Sequence, residues 1–509
     1  MAQNFLATHG IDLEAELDRI QHLNNPSTHL NSEDLPGHTP EPGHRYTTMV
    51  SNEQNISDQP TGLISNVSLH QPSSYTAKDV DSRPTTYDIL LSGKTISSIQ
   101  PHDPNRLPPP NTHSISGNSA LLAPSLCHPH IHLDKAFLLS HPRYAHLQPQ
   151  KGDFAEAMSL TGSAKSNFEH QDLLERGQRV IDESVEAGVT HMRAFVELDA
   201  GVGTKCLDAG LELKKRAEVE GRCEVQICAF AQLPLFTATD SDPDGAIIRE
   251  LMTSASQHPE IGALGFTPYV ESNVEKQRQT IDWAINLAME SRKHLDFHMD
   301  YTLDPASEPQ TPYLISRLHA LHWSTSNPGK TVVLGHCTRL SLFSAPQWHA
   351  LRSQIGDLPL HFVGLPTSDL FMMRTPERTR GTLPVPSLIK DYGVNACMGI
   401  NNIGNAFTPH GSCDPLSLAC WGVGVYSAGT KAEAELLYEA VSTRAREAIG
   451  FGGGGERGLK VKKGSEANFV LFAADEKEGW RTRRSVSEVV WMYDCCKGRR
   501  GIFGGKLVS

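Results

Sequence analysis

From residue 121 onward, short apolar runs alternate with longer stretches in which apolar residues recur every three or four positions. The runs are "LLAPSLCHPHIHL", "THMRAFVEL", "CEVQICAFAQ", "IGALGFTPYVE", "HLDFHMD", "TVVLGHC", "LHFVGLP" and "GVNACMGI". Each is short for a helix and nearly continuous in apolar character, as strands buried on both faces of a parallel sheet are. The stretch "QDLLERGQRVIDESVEAG" between the first two has helical spacing, and Gly188 at its end predicts a left-handed C-terminal cap. Eight strands alternating with helices predict an α/β fold, a (β/α)8 barrel of the TIM type, over residues 121–450.

The flanks read differently. In residues 61–120, "TGLISNVSL" and "YDILLSGKTISSI" alternate like strands and are followed by "PHDPNRLPPPN", which predicts pieces of a small β unit. In residues 451–509, "GLKVKKGSEANFVLFAA" and "GIFGGKLVS" return to strand texture. Residues 1–60 are polar and rich in Pro, His, Ser and Asn, with one short amphipathic helix candidate around Ile11 to Leu23, and predict a disordered or loosely docked extension. No short-period repeat is present.

Composition narrows the class of partner. The 509-residue chain has a formal net charge of -12 and no Lys/Arg block long enough to make a nucleic-acid or membrane-surface stripe. Its N-terminus, "MAQNFLATHGIDLEAELDRIQHL", carries acids where a signal peptide carries a basic segment and an apolar run, and no stretch of 18 apolar residues occurs. A soluble, cytoplasmic protein acting on a small molecule is expected, with homo-oligomerisation left open. The 10 cysteines include no C-x-x-C pair, so neither a zinc ribbon nor a disulfide scaffold is indicated, and the adjacent Cys495 and Cys496 read as incidental. The sequons at Asn55 and Asn66 carry no weight in a protein that is not secreted.

The candidate chemistry lies in the histidines. His128, His130 and His132 alternate at the end of the first barrel run. With 24 histidines in the chain, a His-x-His pair is expected about once by chance, so the spacing alone decides little. The barrel supplies the missing test, because functional side chains in such folds sit at the C-terminal ends of strands. His130 and His132 end the first run, His298 ends "HLDFH" and His336 ends "TVVLGH". These four histidines would converge on one mouth, where three neutral imidazoles plus a carboxylate and a water make a workable catalytic site for Zn²⁺ or Fe²⁺.

These segments carry a resemblance. "PHIHLDK", "HMRAFVEL", "VQICAFAQ", "FHMD", "LGHCT" and "VGLPTSDLFMM" followed by "RGTLPVPSLIKDYGVNACMGINNIGNAFTPHG" are similar, in order and spacing, to the amidohydrolase superfamily. Within it they resemble the branch of cytosine deaminase and isopropylammelide amidohydrolase, over roughly residues 85 to 509. The resemblance implies that the terminal β pieces pair into one small sandwich beside the barrel. It also implies metal ligation by His130, His132 and His298, a hydrogen bond from His336 to the attacking hydroxide or substrate, and recognition of an amide edge of the substrate ring by Gln232. Asp134 and Lys135 follow the branch pattern in supporting or direct roles, and His128 matches no ligand of the family. The carboxylated lysine of two-metal members has no counterpart in "ALGFTPYVE", which implies a single metal ion.

Two positions depart from that pattern. Where the family carries an aspartate after strand 8, "MGINN" offers Asn401, followed by Asn402; the amide can ligate but cannot accept a proton at neutral pH. The proton-shuttling glutamate three residues after the strand-5 histidine is replaced by Tyr301, which leaves Asp300 as the carboxylate nearest in sequence. His410 and Asp414 are the next candidate ligands should Asn401 not reach the metal. Three readings remain open: a metal-dependent hydrolase of non-peptide C–N bonds in a cyclic amide or amidine, a metal-binding homologue without activity that binds a ring compound or a protein, and a metal-free structural protein. A zinc nucleic-acid deaminase is excluded, because neither half of the H-x-E…P-C-x-x-C signature occurs.

Overall fold

In the computed structural model, residues 61–70, 85–110, 112–452, 458–472, 482–494 and 497–509 are described. The Ile11–Leu23 helix candidate, the rest of the 1–60 extension and the Cys495–Cys496 pair lie outside them. The alternating segments after residue 60 form β1 (Gly62–Leu69), β2 (Tyr87–Ser92), β3 (Thr95–Pro101), β4 (His113–Ser116) and β5 (Leu121–Pro124). β2 and β3 are an antiparallel hairpin turned over Gly93 and Lys94, with Gly93 at φ 58°. β1 breaks register between Ile64 and Val67, where Asn66 adopts φ 52°. Its first half therefore pairs with β2 and β4, and its last two residues pair with β5.

The apolar runs form eight parallel strands: β6 (Leu126–His132), β7 (Val189–Glu197), β8 (Glu224–Ala231), β9 (Ile261–Phe266), β10 (His294–Met299), β11 (Val332–His336), β12 (Leu360–Gly364) and β13 (Ala396–Met398). Each pairs with its neighbours in sequence order. The ring closes just past β13, where Asn401 N–H donates to His130 O (3.0 Å) and His132 N–H donates to Asn401 O (2.9 Å). Because that link is a single parallel bridge between Ile131 and Asn401, "GVNACMGI" contributes only three strand residues.

Helices follow the strands: α1 (Phe154–Lys165) and α2 (His170–Glu186) after β6, α3 (Lys205–Glu220) after β7, α4 (Ala246–Ser256) after β8, α5 (Val274–Ser291) after β9, α6 (Thr311–Ala320) after β10 and α7 (Ala345–Ile355) after β11. The helical spacing of α2 buries Leu173, Val180, Ile181 and Val185 in the main core, each such side chain contributing about 1.5–3 kcal/mol. Gly188, just past its end, has φ 93° and donates to Val185 O (2.9 Å). A Cβ there would lie 2.4 Å from Val470 Cγ2, so the site requires glycine for both conformation and contact. No helix among the described residues is long and apolar enough to cross a membrane.

The chain's other end completes the flanking β-sandwich. β14 (Phe469–Phe472) pairs antiparallel with β5, and β15 (Arg500–Phe503) and β16 (Lys506–Leu507) extend the sheet. Ile64, Val67, Ile89 and Leu122 share a core with Phe469, Leu471 and Ile502. The predicted strand texture of "GLKVKKGSEANFVLFAA" is realised only at its end, because the chain turns at Gly464 (φ 86°) before β14 begins.

At the far end of the barrel from the strand tips, His294 opens β10 as a buried neutral imidazole whose Nδ1 accepts the Thr331 N–H (2.9 Å). Burial, reinforced by the charges of Arg193 and Lys330, pushes its pKa well below the ordinary histidine value. The folded chain therefore stays unprotonated where the unfolded chain binds a proton. This contribution is present above about pH 6.5 and is lost as pH falls toward the folded value. Denaturant unfolding between pH 7 and pH 5 should show stability decreasing with acid. His294→Gln should flatten that slope by up to about 1.4 kcal/mol per pH unit. An unchanged slope would refute the assignment.

Candidate metal centre and cavity

β6 slips register against β7 between His128 and Ile131, a stretch containing Pro129, which has no N–H to give the ladder. The slip breaks the two-residue side-chain phase. His128 turns to the helix layer, with Nε2 3.0 Å from Ser184 Oγ on α2 and 3.2 Å from Cys413 O. His130 and His132 turn into the barrel.

There they meet His298 from β10. The Nε2 atoms of His130 and His132 lie 3.2 Å and 3.3 Å from His298 Nε2. The ring of His130 stacks on Phe195 (centroids 4.0 Å apart) and that of His298 on Phe230 (4.5 Å), so aromatic side chains fix both planes. Gly335 on β11 leaves the space: a Cβ on it would lie 3.3 Å from His130 Cε1. Burial first, then the mutual charges of the cluster and nearby Lys135 and Arg193, holds all three pKa values well below the ordinary range. Three neutral imidazoles with nitrogens converging on one point lack hydrogen-bond complementarity and match the donor set of a transition-metal ion. Asn401 Oδ1 is buried against His130 and His132 without a well-formed hydrogen bond, which fits an oxygen ligand. Behind His130, Asp296 Oδ1 lies 3.9 Å from Nδ1, and its Oδ2 accepts from Arg193 Nη1 (2.8 Å). Burial pushes the Asp296 carboxyl up to about 7, against the pull of Arg193.

The triad borders a small cavity at the strand tips. Four non-glycine residues at those tips, Asp300, His336, Cys337 and Asn401, have φ between 47° and 66°. Such conformations cost of order 1–3 kcal/mol each and cluster at functional sites. His336 faces the cavity, with its Nδ1 2.7 Å from Asp369 Oδ1 and its ring 4.1 Å from that of Tyr301. On the opposite wall Lys135 Nζ donates to Gln232 Oε1 (3.0 Å) and pairs with Glu197 (3.0 Å). Lys165 also pairs with Glu197 and with Asp199, so the lysine facing the cavity is backed by a buried network of alternating charge. Phe154 and Phe407 complete flat apolar walls.

The cavity thus brings together His132, His298, His336, Gln232, Tyr301 and Asn401 of the residues singled out in the sequence, with His130 just beneath. Asp300 is the correction. Its carboxylate turns away to cap α6, accepting from Gln310 N–H (2.7 Å), Thr311 N–H (3.1 Å) and Thr311 Oγ1 (2.6 Å), because a buried helix terminus needs acceptors for its free N–H groups. Asp134 lies outside the cavity and accepts from Glu197 N–H (2.9 Å). His410 and Asp414 stay away from the triad: the first packs between Phe371 and Trp421, and the second caps Pro415–Val425 and pairs with Arg499 (2.9 Å). Asp369 was not anticipated. The signal available was its place in "LPTSDLF", just after a barrel strand, but only the three-dimensional contact selects it from the other acids.

No protein-family model and no curated protein matches the sequence. The structure does have close counterparts in shape. A 5-methylcytosine deaminase from Klebsiella pneumoniae liganded with 5-fluorocytosine superposes with TM-score 0.70 at 18% identity, covering 88% of this chain and 97% of that one. N-isopropylammelide isopropylaminohydrolase from Burkholderia multivorans ATCC 17616 gives 0.66 at 20% identity over 88% and 97% of the two chains. An adenosine deaminase from Xanthomonas campestris with bound zinc gives 0.59 at 16% identity over 88% and 92%. In architecture the chain is a (β/α)8 barrel with a flanking β-sandwich, the fold it shares with these enzymes.

Proposed function

We propose that the protein is a metal-dependent hydrolase that cleaves a non-peptide C–N bond in a cyclic amide or amidine. The observation that carries the reading is the convergence of three buried, neutral histidines on one point beside a cavity lined by Lys135, Gln232 and His336. His130, His132, His298 and Asn401 would hold one zinc or iron ion. Such an ion, when bound, supplies a Lewis acid and makes hydroxide available at neutral pH.

The chain's own groups account for the remaining work. Phe154, Phe407 and Tyr301 form flat walls for a planar ring. Lys135 fixes the Gln232 amide by donating to its oxygen, so that the ammonium and the amide together present polar contacts for a ring carbonyl or ring nitrogen. Asn401 cannot accept a proton and the Asp300 carboxylate is tied to α6, so the attacking water's proton falls to His336 Nε2. Tyr301, whose phenol burial keeps far above its ordinary pKa, is a hydrogen-bond donor to the substrate or the leaving nitrogen rather than a shuttle. The free thiols among the described cysteines accord with an intracellular, cytoplasmic setting, which belongs to the same proposal. Asn401 is also what favours the second reading, a homologue that binds metal and a ring compound without turnover.

Purified protein should contain close to one equivalent of zinc or iron by elemental analysis, and His130→Ala should lose most of it. Protein that stays metal-free after supplementation would remove the proposal. With metal present, assays of ammonia or amine release from cytosine, N-isopropylammelide and hydantoin separate enzyme from binder. Turnover of none of these and of no related ring, alongside measurable binding of one, selects the second reading.

Asn401→Asp should tighten zinc binding by on the order of 10-fold, since about 1.4 kcal/mol is a modest gain for a carboxylate replacing an amide beside a dication. Competition against a chelator measures it. Unchanged affinity would place Asn401 outside the metal's reach.

A further inference from the structure

We infer that Asp369 sets the tautomer and aim of His336, so that the imidazole presents an unprotonated Nε2 to the cavity. This role rests on the hydrolase reading above and deepens it. Asp369 is fully buried in the short helix Pro366–Met372 that follows β12. Its two oxygens face different partners. Oδ2 accepts from Thr382 Oγ1 (2.8 Å) and from Leu365 N–H (3.3 Å), while Oδ1 faces His336 Nδ1 at 2.7 Å. A backbone N–H can only donate, so Oδ2 is held as an acceptor and the carboxylate is anchored from that side. Oδ1 then draws the proton of His336 to Nδ1, because each ring nitrogen's state is set by the bond the other makes.

The arrangement also explains how His336 tolerates its backbone. At φ 66° it occupies a region that L residues rarely adopt, and the bond to Asp369 together with the Tyr301 ring at 4.1 Å keeps the side chain in one orientation there. The consequence is chemical. With an amide at position 401 and the Asp300 carboxylate on α6, the cavity needs a bare imidazole nitrogen, and only the Nδ1–H tautomer provides one at Nε2. Asp369 touches neither the cavity's ligand nor the histidine triad in this scheme, so it is a positioning residue acting through His336.

Asp369→Asn makes the test specific. Its amide must turn the oxygen toward Leu365 N–H, which leaves the NH2 group against His336 Nδ1; Nδ1 becomes an acceptor and the ring proton moves to Nε2. Nitrogen-15 NMR of the histidine-labelled full chain, zinc-free and zinc-loaded, reads this directly, with His336→Gln identifying the resonances. The wild type should show Nδ1–H and an unprotonated Nε2, and Asp369→Asn the reverse. With cytosine or N-isopropylammelide as probe, kcat should fall about 10²- to 10⁴-fold while zinc content stays the same and KM changes far less. An Nε2–H tautomer in the wild type overturns the inference, which keeps it decidable even if Asp369→Asn does not fold. So does the same tautomer in both proteins, or an inverted tautomer with wild-type kcat. A wild type with the expected tautomer that turns over no probe would instead defeat the hydrolase reading and leave the Asp369–His336 assignment standing.

Discussion

Two backbone hydrogen bonds carry the rest of the structure: Asn401 N–H to His130 O, and His132 N–H to Asn401 O. They close the barrel, since β13 ends at Met398 and, among the described residues, no later strand pairs with β6. The same bonds clamp the main chain of two triad histidines against the residue whose side-chain oxygen lies beside them. Closure and ligand geometry are therefore one constraint. A barrel that opened at this seam would lose both its ring and its histidine cluster, whereas a change on the outer helices would leave the seam intact. The register slip at Pro129 serves the same end, turning His130 and His132 inward while sending His128 to the helix layer.

The barrel interior that supports this seam carries charge as well as apolar side chains. Arg193, fully buried, bonds both Asp296 and Gln226, and Lys135 and Lys165 lie among Glu197, Asp199 and Asp134. Buried ion pairs of this kind contribute little net stability against well-packed apolar residues, but removing one partner leaves an uncompensated charge and typically costs several kcal/mol. Their worth lies in position. Glu197 sits at the tip of β7 and holds Lys135 against the cavity, and Asp296 sits two residues before His298 and behind His130.

Much of this was legible in the chain. The eight apolar runs became the eight barrel strands because strands covered on both faces leave a nearly continuous apolar signature, and the flanking strands alternated because one face meets the sandwich core. The four strand-end histidines were readable for the same reason, since the fold places strand tips at one mouth. What escaped were features decided by contact rather than by pattern. Asp300 looked like the remaining carboxylate of the site because it follows His298 by two residues, yet φ 47° and the free N–H groups at the start of α6 turn it away. Asp369 was invisible because its partner lies 33 residues upstream and nothing in the intervening sequence announces the pairing.

The same contacts bear on charge balance at the centre. Under the proposed reading, three neutral imidazoles and one amide would hold a divalent cation without contributing any negative charge, and an uncompensated double charge in a buried site is unfavourable. Two buried carboxylates each stand behind a histidine of the centre: Asp296 behind His130 and Asp369 behind His336. Burial raises both carboxyls above their ordinary range, and each is drawn back toward its charged form by its own partners, Arg193 for Asp296, and His336, Thr382 and Leu365 N–H for Asp369. On that reading a carboxylate behind a histidine would supply the compensation that the amide at position 401 cannot, and would do so through a ring rather than by direct ligation. On the proposed reading, the amide at position 401 and the buried carboxylate of Asp369 belong together: negative charge would stand outside the metal's own ligand shell, at a place where it also fixes the proton on His336.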